Sequence, residues 1–235
     1  MPLIVKNNVN KYESLYKAGH NHDYPNLDFV RLESKFLRSQ NKNKILDYGF
    51  GSGENIIHLI KKNYDVYGVE TSKSAIKLLE FKLKNLGKKK FSKNLFLLNE
   101  KDKNLKFDNN FFDSIACISV ISLLQSKKNI QFLINEFYRV LKPGGRLLID
   151  MNGPKGDFKK GGIFINDDEY EYNLQNKRKI RIYAPKNKSA FKKLFNNFNI
   201  IELGEVYFNY FEFKNHEFIA CLEKPRIDSV KKNKK

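Results

Sequence analysis

Cysteine is scarce in this chain of 235 residues: Cys117 and Cys221 are the only two, and each sits in an apolar run. Two isolated thiols in strand-like surroundings build neither a disulfide framework nor a metal site, so they read as small buried hydrophobes. His20 and His22 form a His-x-His pair without a third ligand in view, and no metal is expected. Long apolar runs are missing as well. Nothing approaches the roughly 18 residues of a membrane-spanning helix. The start, Met1-Pro2-Leu3-Ile4-Val5-Lys6, is too short an apolar stretch for a secretory signal. A cytoplasmic protein with no membrane partner is expected. Internal repeats and sizeable low-complexity blocks are absent, which excludes a solenoid. Acidic charge is the last shortage: 26 Asp and Glu stand against 44 Lys and Arg, a formal net charge of +18.

What is present fits one large domain with a substantial core: 41% hydrophobic and 30% charged residues. The excess charge is mostly Lys and is spread along the chain. That distribution fits a lysine-rich compositional habit as well as a polyanion-binding surface, and either way anionic ligands are attracted at low salt.

Residues 1–10 read as a frayed start. Residues 11–40 read as helical, broken by the polar turn Gly19–Asn26 with Pro25 inside it, and residues 1–40 together form an expected N-terminal helical lid. From Lys44 short apolar runs alternate with helical periodicity. Strands are expected at Lys44–Tyr48, Asp65–Val69, Asn94–Leu98, Phe112–Val120 and Arg146–Met151, with helices at Glu54–Lys62, Ser72–Leu86 and Ile130–Leu141. This alternation predicts an α/β, Rossmann-like, doubly wound and mostly parallel sheet. After Met151 a loop (Asn152–Gly162) leads to short strands at Glu169–Tyr172 and Lys179–Ala184 and a helix at Ser189–Phe198. Two β runs, Asn199–Phe213 and Glu217–Leu222, then read as an antiparallel hairpin turning at Lys214-Asn215-His216, which completes seven strands. The main domain is placed at 41–223, and the charged tail 224–235 is expected to be disordered.

The stretch from Ile45 to Glu70 carries the chemistry. A strand ends in Asp47, glycines follow at 49, 51 and 53, a helix begins, and the next strand ends in Glu70. Glycines permit a tight turn close to a ligand. The helix start offers unpaired N–H groups, and an acid at the end of the second strand can accept from both hydroxyls of a ribose. The spacing G-x-G-x-G is neither the dinucleotide fingerprint G-x-G-x-x-G nor a P-loop.

Asp47-Tyr48-Gly49-Phe50-Gly51-Ser52-Gly53 resembles the first motif of the class I S-adenosylmethionine-dependent methyltransferases, in particular the methyltransferase type 11-like members. Three more stretches are similar to that family in the same order: Tyr67–Glu70, Phe107–Ile115 and Phe137–Gly145. The resemblance implies S-adenosyl-L-methionine as cofactor. Gly49, Gly51 and Gly53 would line its methionine part, Asp47 would hold the hydrogen-bond network there, and Glu70 would accept from the ribose. An acid after the third strand would meet the adenine, with Asn99, Glu100 and Asp102 the available residues. Ser119, at the end of the fourth strand, is counted with the cofactor site.

The chain departs from the family where many relatives carry Glu-His after the fourth strand, because Ser122-Leu123 stands there. A catalytic base must come from elsewhere or is not needed. The lid offers Tyr12, Tyr16, His20, His22 and Tyr24, with His20 and His22 the candidate base or substrate ligands. Arg31 could meet an anionic group. The segment 152–185 is expected to wall the acceptor site. The expected function is methyl transfer to a small-molecule acceptor, an anionic one included. The alternatives are an RNA methyltransferase and a non-catalytic protein that binds the cofactor. An RNA acceptor is favoured by the charge and disfavoured by the lack of an Asn-Pro-Pro-Tyr motif, since Cys117-Ile118-Ser119-Val120 occupies that place.

Overall fold

Successive residues of a buried strand point to opposite faces, and in this chain both faces are apolar. In the computed structural model, which describes residues 6–37, 43–99, 101–157, 162–166, 168–173, 179–210 and 213–226, that pattern sorts the core into two layers. Strands β1 (Lys44–Tyr48), β2 (Asp65–Glu70), β3 (Leu95–Leu97), β4 (Phe112–Cys117) and β5 (Leu141–Asn152) run parallel, and β10 (Phe213–Glu223) and β9 (Asn199–Tyr210) add an antiparallel pair. The order is β3-β2-β1-β4-β5-β10-β9. Ile45, Ala116, Leu148 and Cys221 face helices α2 (Leu27–Phe36), α3 (Glu54–Lys61) and α4 (Lys73–Asn85), whose Phe29, Ile56, Leu59 and Leu79 fill that layer. Leu46, Ile115, Cys117, Leu147 and Ile149 face α5 (Lys127–Val140) and α6 (Lys188–Leu194), which contribute Leu133, Phe137 and Phe191. Each Leu, Ile or Phe among these contributes about 1.5–3 kcal/mol on full burial. Both cysteines are buried and free.

The chain leaves β1 in one direction toward β2 and β3 and later returns on the other side of β1 as β4. The carboxyl ends of β1 and β4 therefore flank a crevice where the winding reverses, which is where open α/β sheets bind ligands. Helix α1 (Lys6–Lys17) and the loop after it pack at this end.

Several boundaries differ from the sequence reading, each for a local reason. Helix α1 starts at Lys6, inside the stretch read as frayed, because its side chains dock on the domain. Strand β4 stops at Cys117 rather than Val120, because Ser119 turns to φ 59 and starts a tight 3-10 turn over Ile121–Leu124. Lys214-Asn215-His216 is not the hairpin turn. These residues are inside β10, paired with Asn209, Phe208 and Tyr207, and the reversal falls between Tyr210 and Phe213. Their polarity reflects an exposed strand face while His216 is buried under Tyr207, with ring centroids 4.5 Å apart and nearly parallel. The aromatic residues Tyr207, Phe208 and Tyr210 lie in β9 and Phe213 lies in β10. The two short strands expected after Met151 are joined by a third, and β6 (Gly162–Asn166), β7 (Glu169–Asn173) and β8 (Lys179–Tyr183) form a separate antiparallel sheet. Of the tail, residues 227–235 lie outside the described residues, as do 1–5 and 38–40 of the lid.

Gly53 shows how tightly the helices are set. It has φ 88, and a Cβ there would stand 2.4 Å from Leu79 Cδ1 of α4. Gly87 has φ 67 with nothing within 4 Å. Gly87→Ala is expected to cost only backbone strain, about 1 kcal/mol, and Gly53→Ala about 2–4 kcal/mol because overpacking is added. Equal losses for the two variants in urea denaturation would refute the packing role.

Candidate active site

The crevice holds a cavity of about 380 Å³, within the size range of small-molecule sites. Its floor is the turn after β1. Gly49 (φ 75), Gly51 (φ 57) and Gly53 (φ 88) all adopt left-handed backbone, which keeps side chains off the turn. The Gly49 N–H donates to the Val69 carbonyl (2.8 Å), tying the turn to β2, and the Gly53 N–H donates to the Phe50 carbonyl (3.0 Å), closing it. Gly49 and Gly51 line the cavity. Gly53 does not: it starts α3 and packs on Leu79.

Glu70, at the end of β2, lines the cavity with a buried carboxylate. Its Oε2 accepts from the Gly51 N–H (2.9 Å), and its Oε1 accepts from the N–H of Thr71 (2.5 Å), the N–H of Ser72 (2.9 Å) and the Thr71 hydroxyl (3.1 Å). The acid is fixed by main chain from both sides of the cavity.

Asp47 is 2% exposed at the end of β1, and its Oδ2 is buried with no hydrogen-bond partner. Burial first, then the charges of Glu70 and Glu54, push its pKa up to about 8. An unpartnered carboxylate oxygen in this position is matched by a cation, so the residues present fit a ligand that carries an ammonium group.

On the opposite wall Ser119 keeps its left-handed backbone because the buried Asp150 accepts from its N–H (2.6 Å) and, more weakly, from its hydroxyl (3.4 Å). Burial, the largest influence, and Glu217 raise the Asp150 pKa. Ser122 is buried and its hydroxyl accepts from the Asn152 N–H (2.9 Å). Leu98 reaches the cavity from beyond β3. Asn99 is exposed and outside the lining, with its N–H donating to Asp102, and Asp102 pairs with Lys106. Glu100 lies outside the described residues.

The roof is the lid. Tyr12, Tyr16, His20, His22 and Tyr24 all line the cavity, with His20 and His22 edge-to-face at 4.7 Å. Sequence reasoning missed how the lid is latched. Glu13 of α1 caps the start of α4, accepting from Ser72 Oγ (2.7 Å), Ser74 N–H (3.1 Å) and Ser74 Oγ (2.7 Å). Burial acts to raise its pKa, but those bonds and Lys17 outweigh it and hold the carboxyl at about 2. Lys82 donates to the carbonyls of His22 and Ser52 and to Glu54, joining lid, glycine turn and α3. Asn8 donates to the Leu123 carbonyl (2.5 Å). A polar helix start, Ser72-Lys73-Ser74, opposite an isolated Glu was the available signal.

Two expected contributors are elsewhere. Arg31 is a surface residue paired with Asp28 (2.9 Å) and lies outside the lining. None of the described residues of 152–185 lines this cavity. The small sheet reaches it indirectly, since Tyr170, Ile182 and Ala184 back Leu123, which does line it.

Comparison with known proteins agrees with this arrangement. Residues 46–149 match the family described as "Methyltransferase domain". YqeM of Bacillus subtilis (strain 168), whose name proposes a methyltransferase, is 28% identical over 123 residues, covering 52% of this chain and 47% of YqeM. The ubiquinone/menaquinone biosynthesis C-methyltransferase UbiE of Blochmanniella floridana is 29% identical over 153 residues, covering 62% of this chain and 57% of UbiE. The chain thus spans about half the length of the curated relatives it matches. In fold it is similar to the 1,6-didemethyltoxoflavin-N1-methyltransferase of Burkholderia thailandensis, solved with S-adenosylhomocysteine (TM-score 0.67, 13% identity, 96% of this chain and 92% of that one).

Asp47 gives a pH test. A raised carboxyl pKa means that the folded state binds the proton the unfolded state has lost, so this contribution to stability is full below the unfolded value near 4 and is lost as pH rises through about 8. Asp47→Asn is expected to stabilise the ligand-free protein at pH 8 by about 1–3 kcal/mol relative to its effect at pH 5, and to weaken S-adenosylmethionine binding at least tenfold. Denaturation at both pH values, with calorimetry beside it, decides. A variant with unchanged pH dependence and affinity would remove Asp47 from the site.

Proposed function

Residues 46–149 form a domain of the class I S-adenosylmethionine-dependent methyltransferase family, and from that premise we propose that the protein moves the methyl group of S-adenosylmethionine onto a small-molecule acceptor by in-line displacement. The observation that carries the reading is the convergence of the glycine turn, the fixed Glu70 carboxylate and the unpartnered Asp47 oxygen at one end of the sheet. The cofactor supplies a methyl group already activated by a sulfonium centre.

The protein's share is holding and aiming. Asp47 would take the ammonium, the N–H groups about the turn and start of α3 would face the carboxylate, and Glu70 would take the ribose hydroxyls. Held in this way the cofactor would be oriented by the turn, and the lid would exclude water above it. Orientation of this kind is worth roughly 7–11 kcal/mol at best, so the site can work without a strong base. That suits the chain. Ser122 is tied to Asn152, and among the described residues lining the cavity the candidate bases are His20 and His22 of the lid. An amine or carboxylate nucleophile needs little help with its proton, whereas a hydroxyl would use one of these histidines. The roof of tyrosine and histidine rings favours a flat acceptor that stacks on them. UbiE and the toxoflavin enzyme, by their names, act on small molecules, which supports the same acceptor class.

Ligand-stripped protein is expected to release heat on titration with S-adenosylmethionine and with S-adenosylhomocysteine. In a cell extract with methyl-labelled cofactor, label is expected in the ultrafiltrate. Label in RNA would overturn the acceptor class, and binding with no labelled product would overturn the transfer itself. His20→Ala with His22→Ala is expected to lower kcat about 10²-fold or more for a hydroxyl acceptor while leaving cofactor affinity within about threefold.

A further inference from the structure

Large exposed apolar side chains lie in or beside the lining of one cleft at the lid. A shallow cleft of about 360 Å³ brings together Pro25 of the lid loop, Lys61 of α3, and Lys82 and Leu86 at the end of α4. Leu86, 48% exposed, lines it, and Tyr24 (84%), Leu27 (70%) and Phe81 (63%) each stand within two residues in sequence of a lining residue. Soluble surfaces carry such side chains singly, and four of them in or beside the lining of one cleft mark a contact. The same surface is basic. Leu86 and Gly87 lead into Lys88, Lys89 and Lys90, all exposed, and Lys84 is exposed one turn earlier. Gly87, at φ 67, makes the turn that puts this run outside the domain. The acids nearby are few: Asp23 and Glu80 are exposed, and Glu54 is neutralised by Lys82 (2.8 Å).

We propose that this face docks on an anionic phospholipid surface, with Leu27, Phe81 and Leu86 entering the headgroup–acyl boundary and the Lys84–Lys90 run meeting lipid phosphates. Charge complementarity selects the partner: a polybasic run beside protruding apolar side chains supplies the two signals that a reversible membrane contact requires. A nucleic acid would satisfy the lysines but leave two leucines against phosphate, since aliphatic side chains offer bases no stacking face. The expectation of no membrane partner came from the lack of a spanning segment. No helix among the described residues is long and apolar enough to cross a bilayer, and surface docking needs none. Tyr24 lines the active-site cavity as well as standing on this face, so docking would set the mouth of the cavity against the bilayer.

Sedimentation of the whole protein with phosphatidylcholine vesicles, with and without phosphatidylglycerol, tests the proposal. Binding is expected only to the anionic vesicles, weakening with salt but not vanishing. Lys88→Glu with Lys89→Glu and Lys90→Glu should weaken it about tenfold or more, and Phe81→Ser with Leu86→Ser about three- to tenfold. All five positions are on the surface and outside the cofactor site, so S-adenosylhomocysteine affinity should stay unchanged in both variants, which separates loss of docking from loss of fold or of cofactor binding. Equal binding to neutral and anionic vesicles would overturn the proposal. So would vesicle binding indifferent to the Phe81 and Leu86 changes. Single-stranded RNA bound more tightly than the anionic vesicles at the same salt, and lost only with the lysines, would assign the face to nucleic acid instead.

Discussion

One carboxylate joins the parts of this site. Glu70 is the last residue of β2, yet it accepts from the Gly51 N–H across the cavity as well as from Thr71 and Ser72 beside it. Charge-assisted bonds to main-chain N–H groups are among the stronger ones available to a buried acid. Here they fix the glycine turn relative to the start of α4. Without that anchor the Gly49–Val69 bond would still tie the start of the turn to β2, but the middle of the turn at Gly51 would lose its fixed position over the cavity.

The lid depends on the same corner. Glu13 seats α1 on Ser72, whose N–H also holds Glu70, and on Ser74. Tyr16, one turn along α1, then stands over Gly51, where a Cβ would meet its hydroxyl at 2.5 Å. Burial, and after it Glu70, Glu54 and Tyr12, keep that phenol protonated far above its ordinary range. Roof and floor are therefore set by one chain of contacts: Glu13 to the start of α4, α4 to Glu70, Glu70 to the turn, and the turn to Tyr16. Polar bonds hold α1 at two places, from Glu13 to Ser72 and Ser74 and from Asn8 to the Leu123 carbonyl, while Phe29, Leu32 and Phe36 of α2 anchor the rest of the lid in the core.

The parallel sheet, the glycine turn and Glu70 could be read from residue order because strand alternation and φ-demanding glycines are local signals. What escaped was set by distant partners. The left-handed Ser119 depends on Asp150, thirty-one residues later, and nothing near Ser119 announces it. The polar Lys214-Asn215-His216 looked like a turn because only its neighbour β9 shows that His216 is covered by Tyr207. The segment 152–185 was given a wall of the acceptor site on the strength of family habit. Its described residues instead build a small sheet that braces Leu123 from behind, a placement that composition alone does not encode. Gly53 belongs to the motif by spacing but serves helix packing, which the spacing cannot distinguish from ligand contact.

The charge distribution resolves an apparent conflict in a chain of net charge +18. A strongly basic protein would be expected to repel a cationic cofactor. Yet Asp47, Glu70 and Asp150 are all buried toward the carboxyl ends of β1, β2 and β5, where the low dielectric strengthens their field. Their mutual repulsion is visible in Asp47, whose pKa Glu70 helps to raise. A bound cation relieves that repulsion, so the free energy stored in crowding the acids is returned on binding. The exposed lysines lie outside, screened from the cavity by solvent salt within about 8–10 Å. The interior therefore draws a cation while the surface draws anions.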